Sequence, residues 1–493
     1  MTQLEFRDHR AVIIGAGPAG LAAAMTLAKE KYPLEIHEKQ LAVGGLAKTY
    51  RFQEEEYTFL TDNGPHRFFS KNPKLYQFIE SLLDERWIRV ERCTRQYIDG
   101  KFYHYPIRIR QALGQIGIRR ASRMMLDYVQ ARIQYGVVRR PIRSFEDYIV
   151  AHFGKSLGHF NMINYTEKIW GIPASQIHPD WAIQRIRGLN FLSAARNALR
   201  TAVSQKDVDS PKSLADSFYY PVTGTGLIYE TIEEKLRRQN VPVYLESWPV
   251  RIEHDQNRIS RVHFSRQGET YVVEPEHLIE SIPINAFVQL LDPPPPLPVQ
   301  QAAANLRFRS QIYLFLTLDK ESVTPDQWIY FPEKRIPFGR VSEMKNFSPH
   351  MSPPGKTSLF VEYFCFEGDR IWNLDAKTLF EESYPFFQEL GFFSRREVRN
   401  IYHARLENVY PIYDLEYEKH LSIIKGYLDR FQNLFYIGRP GRFRYNNQDH
   451  SLEMGMAAAR SILDGRRLKI ETIGSEDEYL EAGEIPTPAR GRL

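Results

Sequence analysis

The sequence predicts an α/β fold: a βαβ layer assembled from both ends of the chain, with a mixed helical and β domain inserted between them. Three observations predict it. Residues 10–15 (RAVIIG) read as a buried strand that runs into a glycine-rich turn and then a helical pattern over 19–30. Residues 34–38 (LEIHE) read as the next strand, which completes a βαβ opening and ends on an acid. Near the far end of the chain another strand, 433–437 (NLFYI), precedes an Ala-bearing helix at 450–464.

Between these ends, residues 71–215 read as mainly helical with short loops, and 226–239 as another helix. Short alternating runs at 241–246, 250–254, 259–265 and 270–274 suggest a small antiparallel layer, and 277–282 (HLIESI) a strand returning to the core. The run Asp292 to Pro298 (DPPPPLP) reads as a linker. Segments 311–318 and 358–366 look β-like, 376–390 and 416–430 helical, and the acidic, proline-bearing tail from about 470 disordered. The division is therefore 1–70, 216–290 and 431–469 for the nucleotide-binding domain and 71–215 with 299–430 for the substrate domain.

Composition narrows the classes. The 493 residues are 43% hydrophobic and 25% charged, ordinary for a globular chain of two or three domains. A net charge of +5 is too small to argue for nucleic acid. The two cysteines, Cys93 and Cys365, form no C-x-x-C pair, which disfavours a disulfide framework, a zinc site or a dithiol centre. The histidines show no metal-ligand spacing, so no metal is assigned. Residues 11–28 lack charge, but the cluster Gly15, Gly17, Pro18 and Gly20 reads as a turn rather than a membrane span, and the chain reads as cytoplasmic.

The turn itself carries chemistry. In Gly15-Ala16-Gly17-Pro18-Ala19-Gly20, Gly15 makes the tight turn, Gly17 leaves room for a pyrophosphate, and Gly20 lets helix and strand pack closely. The helix N-terminus then offers free N–H groups to the phosphates. Glu38, followed by Lys39, stands where a carboxylate accepts hydrogen bonds from an adenosine ribose with a free 2′-hydroxyl. The unit is thus Rossmann-like. The following Val43-Gly44-Gly45-Leu46-Ala47 resembles the second glycine pair of two-dinucleotide-binding flavoproteins, which implies FAD, and with no cysteine near Gly438 to His450 to form a thioether link the FAD is expected to be non-covalent.

Thr61-Asp62-Asn63-Gly64-Pro65-His66-Arg67-Phe68-Phe69, with the motifs above, resembles the amine oxidase-like flavoproteins. That clan includes protoporphyrinogen oxidases, phytoene desaturases and UDP-galactopyranose mutases. The resemblance implies that Gly64 and His66 lie against the isoalloxazine. Asn164 to Gly171 resembles the mutase segment whose Tyr and Trp, here Tyr165 and Trp170, help hold a nucleotide-sugar. Arg185, Tyr410 and Tyr445 fall in further segments that resemble the substrate side of the mutases. Gly438-Arg439 and the string Asn447-Gln448-Asp449-His450-Ser451 are also mutase-like, and Asp449 stands where an N-cap should. Arg439 would put a cation near the FAD phosphates or a substrate diphosphate. Arg67 departs from the mutases, and a guanidinium at the flavin would favour anionic reduced flavin or a substrate carboxylate. Plain core is the competing reading for the aromatics.

Residues 107–143 hold nine arginines and one acid, Asp127, with apolar residues interleaved. They read either as a solvated basic helix or as a surface that docks on anionic lipid. Three functional classes follow. The favoured one is an FAD-dependent oxidoreductase acting on a small molecule, with His66, Arg67 and Arg439 in catalytic positions. The alternative is a non-redox UDP-galactopyranose mutase-like enzyme, and the third is a binding protein that has lost catalysis. Substrate, electron acceptor and oligomeric state are not readable from the sequence.

Overall fold

The computed structural model describes residues 11–105, 116–186 and 217–474. At its centre lies a five-stranded sheet with all neighbours parallel, in the order Leu434–Tyr436, His277–Glu280, Ala11–Ile14, Leu34–Glu38, Val243–Leu245. Ala11–Ile14 occupies the middle and is at most 1% exposed, the continuous apolar run that a strand covered on both faces needs. The helix Pro18–Lys29 covers the sheet and lies along the last helix, Gln448–Leu463. Two glycines set the spacing there. A Cβ at Gly455 would fall 2.0 Å from the Ala19 carbonyl oxygen, and one at Gly20 2.0 Å from that of Gly15.

Beside this sheet, Ser247–His254, Ile259–Arg266 and Glu269–Val273 form an antiparallel meander, with Leu291–Asp292 added in parallel. Val243–Leu245, expected in this layer, belongs instead to the parallel sheet, where Val243 faces Ile36. It follows the helix Gly226–Arg238, and a strand reached through a helical crossover joins in parallel. The proline run turns directly into the helix Leu297–Asn305.

The rest is built on a seven-stranded sheet in the order Val398–Pro411, Phe308–Leu318, Thr357–Cys365, Arg340–Glu343, Trp328–Tyr330, Thr94–Ile98, Lys101–His104. The segment 71–215, read as mainly helical, therefore also holds strands. Trp87–Glu91 pairs with Ser217–Pro221, and Thr94–Ile98 with Trp328–Tyr330, so partners far along the chain create them. Its helical share includes Pro73–Leu83, Phe145–Phe153, Lys155–Phe160 and Met162–Trp170. The 14-residue strand Val398–Pro411 was also unexpected, because charged residues recur along it and it carries no uniform apolar stripe. The tail from 470, expected to be disordered, opens with an ordered turn: Ile470 is buried and Glu471 pairs with Arg442. Residues 475–493 lie outside the described residues. Among those described, no helix is long and apolar enough to cross a membrane.

Candidate active site

One side of the site is made of backbone. Gly15 has φ +95° and donates its N–H to the His37 carbonyl at 2.8 Å, which turns the chain sharply after the strand. Gly17 precedes the helix, and Pro18 and Ala19 fill its first turn, where no side chain caps the free N–H groups. Gly44 (φ +101°) donates its N–H to the Ala16 carbonyl at 2.8 Å, so the second glycine pair is stitched onto the first turn. A Cβ on Gly45 would lie 3.1 Å from the Gly17 Cα. Glu38 accepts from the Ala16 N–H at 2.7 Å and the Gln40 N–H at 2.9 Å, and burial pushes its pKa up against their pull. Lys39 is exposed.

The Asp62–Arg67 loop crosses the end of this cradle. Buried Asp62 accepts from the Thr49 hydroxyl at 2.5 Å, the Tyr220 hydroxyl at 2.6 Å and the Thr225 N–H at 3.0 Å. Burial pushes its pKa up to about 6. It braces three elements behind the loop. Gly64, at φ +123°, allows the reversal that brings His66 back over it, with the His66 N–H donating to the Gly64 carbonyl at 2.8 Å. Gln448 at the start of the last helix donates through Nε2 to the carbonyls of His66 (3.3 Å) and Arg67 (3.2 Å) and accepts from the Tyr229 hydroxyl at 2.7 Å. The helix cap is Asn447, not Asp449 as expected: Asn447 is extended and its N–H donates to His450 Nδ1 at 3.4 Å, while Asp449 is already helical and buried.

His66 opens onto a cavity shared with Leu46, Asn63 and Asn447 on the cradle side. The far wall comes from the seven-stranded sheet: Gln311, Tyr313, Arg340 and Tyr410, joined by Arg439 and Tyr445. Arg340 and Glu362 face each other on adjacent strands, and their side chains form a two-pronged ion pair, with Nη2 to Oε1 at 2.7 Å. Burial opposes the charge on Arg340, but Glu362 holds it protonated. Arg439 donates from Nε (3.0 Å) to the Asn446 carbonyl and from Nη1 (3.4 Å) to that of Val409, and its guanidinium carbon lies 5.2 and 4.9 Å from the stacked rings of Tyr410 and Tyr445. No acid pairs with Arg439 among the described residues, and no acid lines the cavity. His66 is held neutral, its pKa pushed down to about 3 by burial and then by Arg439 and Arg340.

Three lining side chains keep buried polar atoms without a hydrogen-bond partner: both amide atoms of Asn63, Nε2 of His66 and Nε2 of Gln311. Buried polar groups are normally satisfied, so this ring of free donors and acceptors fits a polar ligand. Together with the glycine cradle, it fits a dinucleotide cofactor with a polar ring system.

The remaining expected residues divide. Gly438, at φ +75°, packs against Ala19 below Arg439. Tyr165 is not among the residues lining the cavity; its ring lies 5.2 Å from that of Tyr330. Trp170 does not line the cavity; it is core, edge-on to Trp181 at 4.6 Å and 6.0 Å from Tyr410. Arg67 also turns from the cavity, its guanidinium 5.3 Å from the Trp328 ring centroid. The expectation for the Arg185 side chain falls outside what the structure describes. Sequence reading missed Asn63, Gln311, Tyr313, Arg340 and Glu362 as site residues. Asn63 was within the quoted motif; Gln311, Tyr313 and Glu362 lie in segments read as strands but without a site motif, and Arg340 in a strand not read at all.

An L-amino acid oxidase of Bothrops pictus is 22% identical over 365 residues, 67% of this chain and 66% of its own, so the match spans just under two thirds of that relative. A reduced UDP-galactopyranose mutase structure superposes with a TM-score of 0.79 at 21% identity, covering 96% of this chain and 99% of the other. A structure titled putative protoporphyrinogen oxidase, from Exiguobacterium sp. 255-15, gives 0.67 at 16% identity, covering 94% and 100%. These two likenesses show the fold. Residues 18–391 match the family described as flavin containing amine oxidoreductase. That match takes in most of the chain, including the helix after the glycine turn, the His66 loop and Arg340, and the protein belongs to the flavin-containing amine oxidoreductase family.

Proposed function

We propose that the protein is an oxidoreductase with non-covalent FAD whose small-molecule substrate is held beside the flavin by an anionic group. The observation that carries this reading is Arg439, a cation at the cavity whose hydrogen bonds among the described residues go to backbone carbonyls, beside an Arg340 already balanced by Glu362. The site therefore keeps one uncompensated positive charge, which favours an anion and disfavours an alkylammonium. Two of the names above are compatible with an anion: an amino acid carries a carboxylate and a UDP-sugar a diphosphate.

The residues would divide the work as follows. Gly15, Gly17 and Gly45 admit the pyrophosphate, Glu38 receives the ribose, and Asn63, Gly64 and His66 meet the ring. When bound, the flavin supplies a two-electron acceptor at N5. Arg439 orients the anion, and the Tyr410 and Tyr445 rings fix the guanidinium. His66, neutral across the physiological range, offers a hydrogen bond without adding charge. Gln448 holds the His66 loop so that this geometry is set before substrate arrives.

The test mixes oxidised enzyme anaerobically with panels of amino acids, amines and nucleotide-sugars while following flavin absorbance. Bleaching by donors with a free carboxylate or phosphate is expected, with loss on esterification of that group. Bleaching by uncharged or purely cationic amines, unchanged in Arg439→Ala, would overturn the reading. A second reading, a non-redox mutase acting on a nucleotide-sugar, is favoured by Arg67 turning away from the cavity, since Arg67 was the feature that departed from the mutases. Furanose formation by dithionite-reduced enzyme from a UDP-sugar would establish it instead.

A further inference from the structure

We propose that the helix Ile118–Arg132, with the turn that follows it, is a docking surface for an anionic lipid bilayer. The helix has two apolar sides. Met124, Tyr128 and Ala131 are buried, as helical spacing requires of one face packed on the helices that follow. On the opposite side Leu126, Val129 and Ile133 are 70%, 49% and 52% exposed, and the stripe continues into Val137 at 76%. Large aliphatics presented to water in a continuous row mark a contact surface rather than a solvated face.

Charge identifies what covers it. Arg119 and Arg123 flank the stripe along one side and Arg132 along the other, all exposed and with no ion pair among the described residues. Arg120 pairs with Asp99 and Arg140 with Asp147. The single acid of the helix, Asp127, is turned inward to accept the Ser156 N–H at 3.1 Å. The stripe is thus bordered by cations with no exposed acid on its own helix. A helix in this arrangement lies in the interfacial plane, its aliphatics among the acyl chains and its arginines at the phosphates. Beside the same arginines a cleft of about 600 Å³ opens, walled by Arg119, Arg123 and His159, with space for a lipid headgroup. The acids at its rim, Asp99 and Glu333, are already paired with Arg120 and Arg335.

The experiment is flotation of the purified, flavin-loaded full chain with vesicles of phosphatidylcholine alone or with about a third phosphatidylglycerol, at low and high salt. The protein should float with anionic vesicles at low salt and remain behind with phosphatidylcholine alone. Leu126→Ser/Val129→Ser/Ile133→Ser should weaken flotation at both salts by about tenfold or more, since three aliphatic side chains leave the acyl region. Arg119→Gln/Arg123→Gln/Arg132→Gln should remove the salt-sensitive part. Both sets are surface residues, and retained flavin checks folding. No flotation of the wild type, or flotation unchanged in both variants, overturns the proposal. So does a lipid-free dimer in light scattering that the serine variant dissolves, which would assign the stripe to a second copy of this chain.

Discussion

The glycine cradle and the far wall of the cavity are made differently. The cradle side is backbone: Gly15, Gly17, Gly44 and Gly45 contribute turns, N–H groups and the absence of side chains, all within one stretch of sequence. The opposite wall is side chains: Gln311, Tyr313, Arg340 and Tyr410 come from three strands of one sheet, brought together only by its register. A backbone cradle recognises what every dinucleotide has in common, whereas a side-chain wall recognises what one substrate has alone. The cradle can therefore stay constant while the wall changes, and its failure modes should differ in kind.

The largest expected effect breaks the cradle without breaking the fold. At Gly17 φ is −77° and an added Cβ meets only the Gly45 Cα, at 3.9 Å, so the protein itself tolerates a side chain there. Gly17→Val should yield a folded protein with no flavin absorbance, its circular dichroism unchanged. Gly20→Ala is the opposite case: its Cβ would meet backbone oxygen at 2.0 Å, and the variant should lose stability as well as flavin. Stoichiometric flavin in Gly17→Val would show that this turn is not the cradle.

The next effect acts on the wall. Arg340→Ala leaves Glu362 buried without its cation, which should cost about 3–5 kcal/mol in urea unfolding. Adding Glu362→Gln should recover much of that stability but not the activity, because the cavity still lacks Arg340. If the double variant regains activity, the pair is a structural brace and the wall begins at Arg439.

The last effect is in pH, and near neutrality it is small. His66 is neutral in the folded protein down to about pH 3, while the unfolded chain protonates it near 6.5. Between those values the unfolded state binds the extra proton, so His66 withdraws stability as pH falls below 6.5, and the loss is complete near the lower value. His66→Gln should flatten this part of the curve of Tm against pH. An unchanged curve would mean that the loop opens to water.

The same contrast explains what was legible in the sequence. Glycines at fixed spacing, Glu38 at the end of a strand and the order strand, helix, strand are local facts, and the parallel sheet followed from them. Thr94–Ile98 and Arg340–Glu343 exist because of partners far along the chain, so no local period announced them. Arg67 and Trp170 were picked by motif, yet a motif does not state which way a side chain turns; one lies over Trp328 and the other in the core. The cap moved from Asp449 to Asn447 for a similar reason: both residues can cap, and the capping box with His450 selects the earlier one.

Gln448 has a consequence for biogenesis. It is the residue that ties the His66 loop to the last helix, and that helix packs on the one beginning at Pro18. The first and last helices of the nucleotide layer are separated by most of the chain, so the loop-closure entropy of the whole insert must be overcome before either is supported. A ribosome that has delivered the glycine turn, the ribose acid and the entire seven-stranded sheet still displays an unfinished site. Cofactor capture would then wait for the helix Gln448–Leu463 to be made, and flavin absorbance in the purified protein would report that this helix has docked.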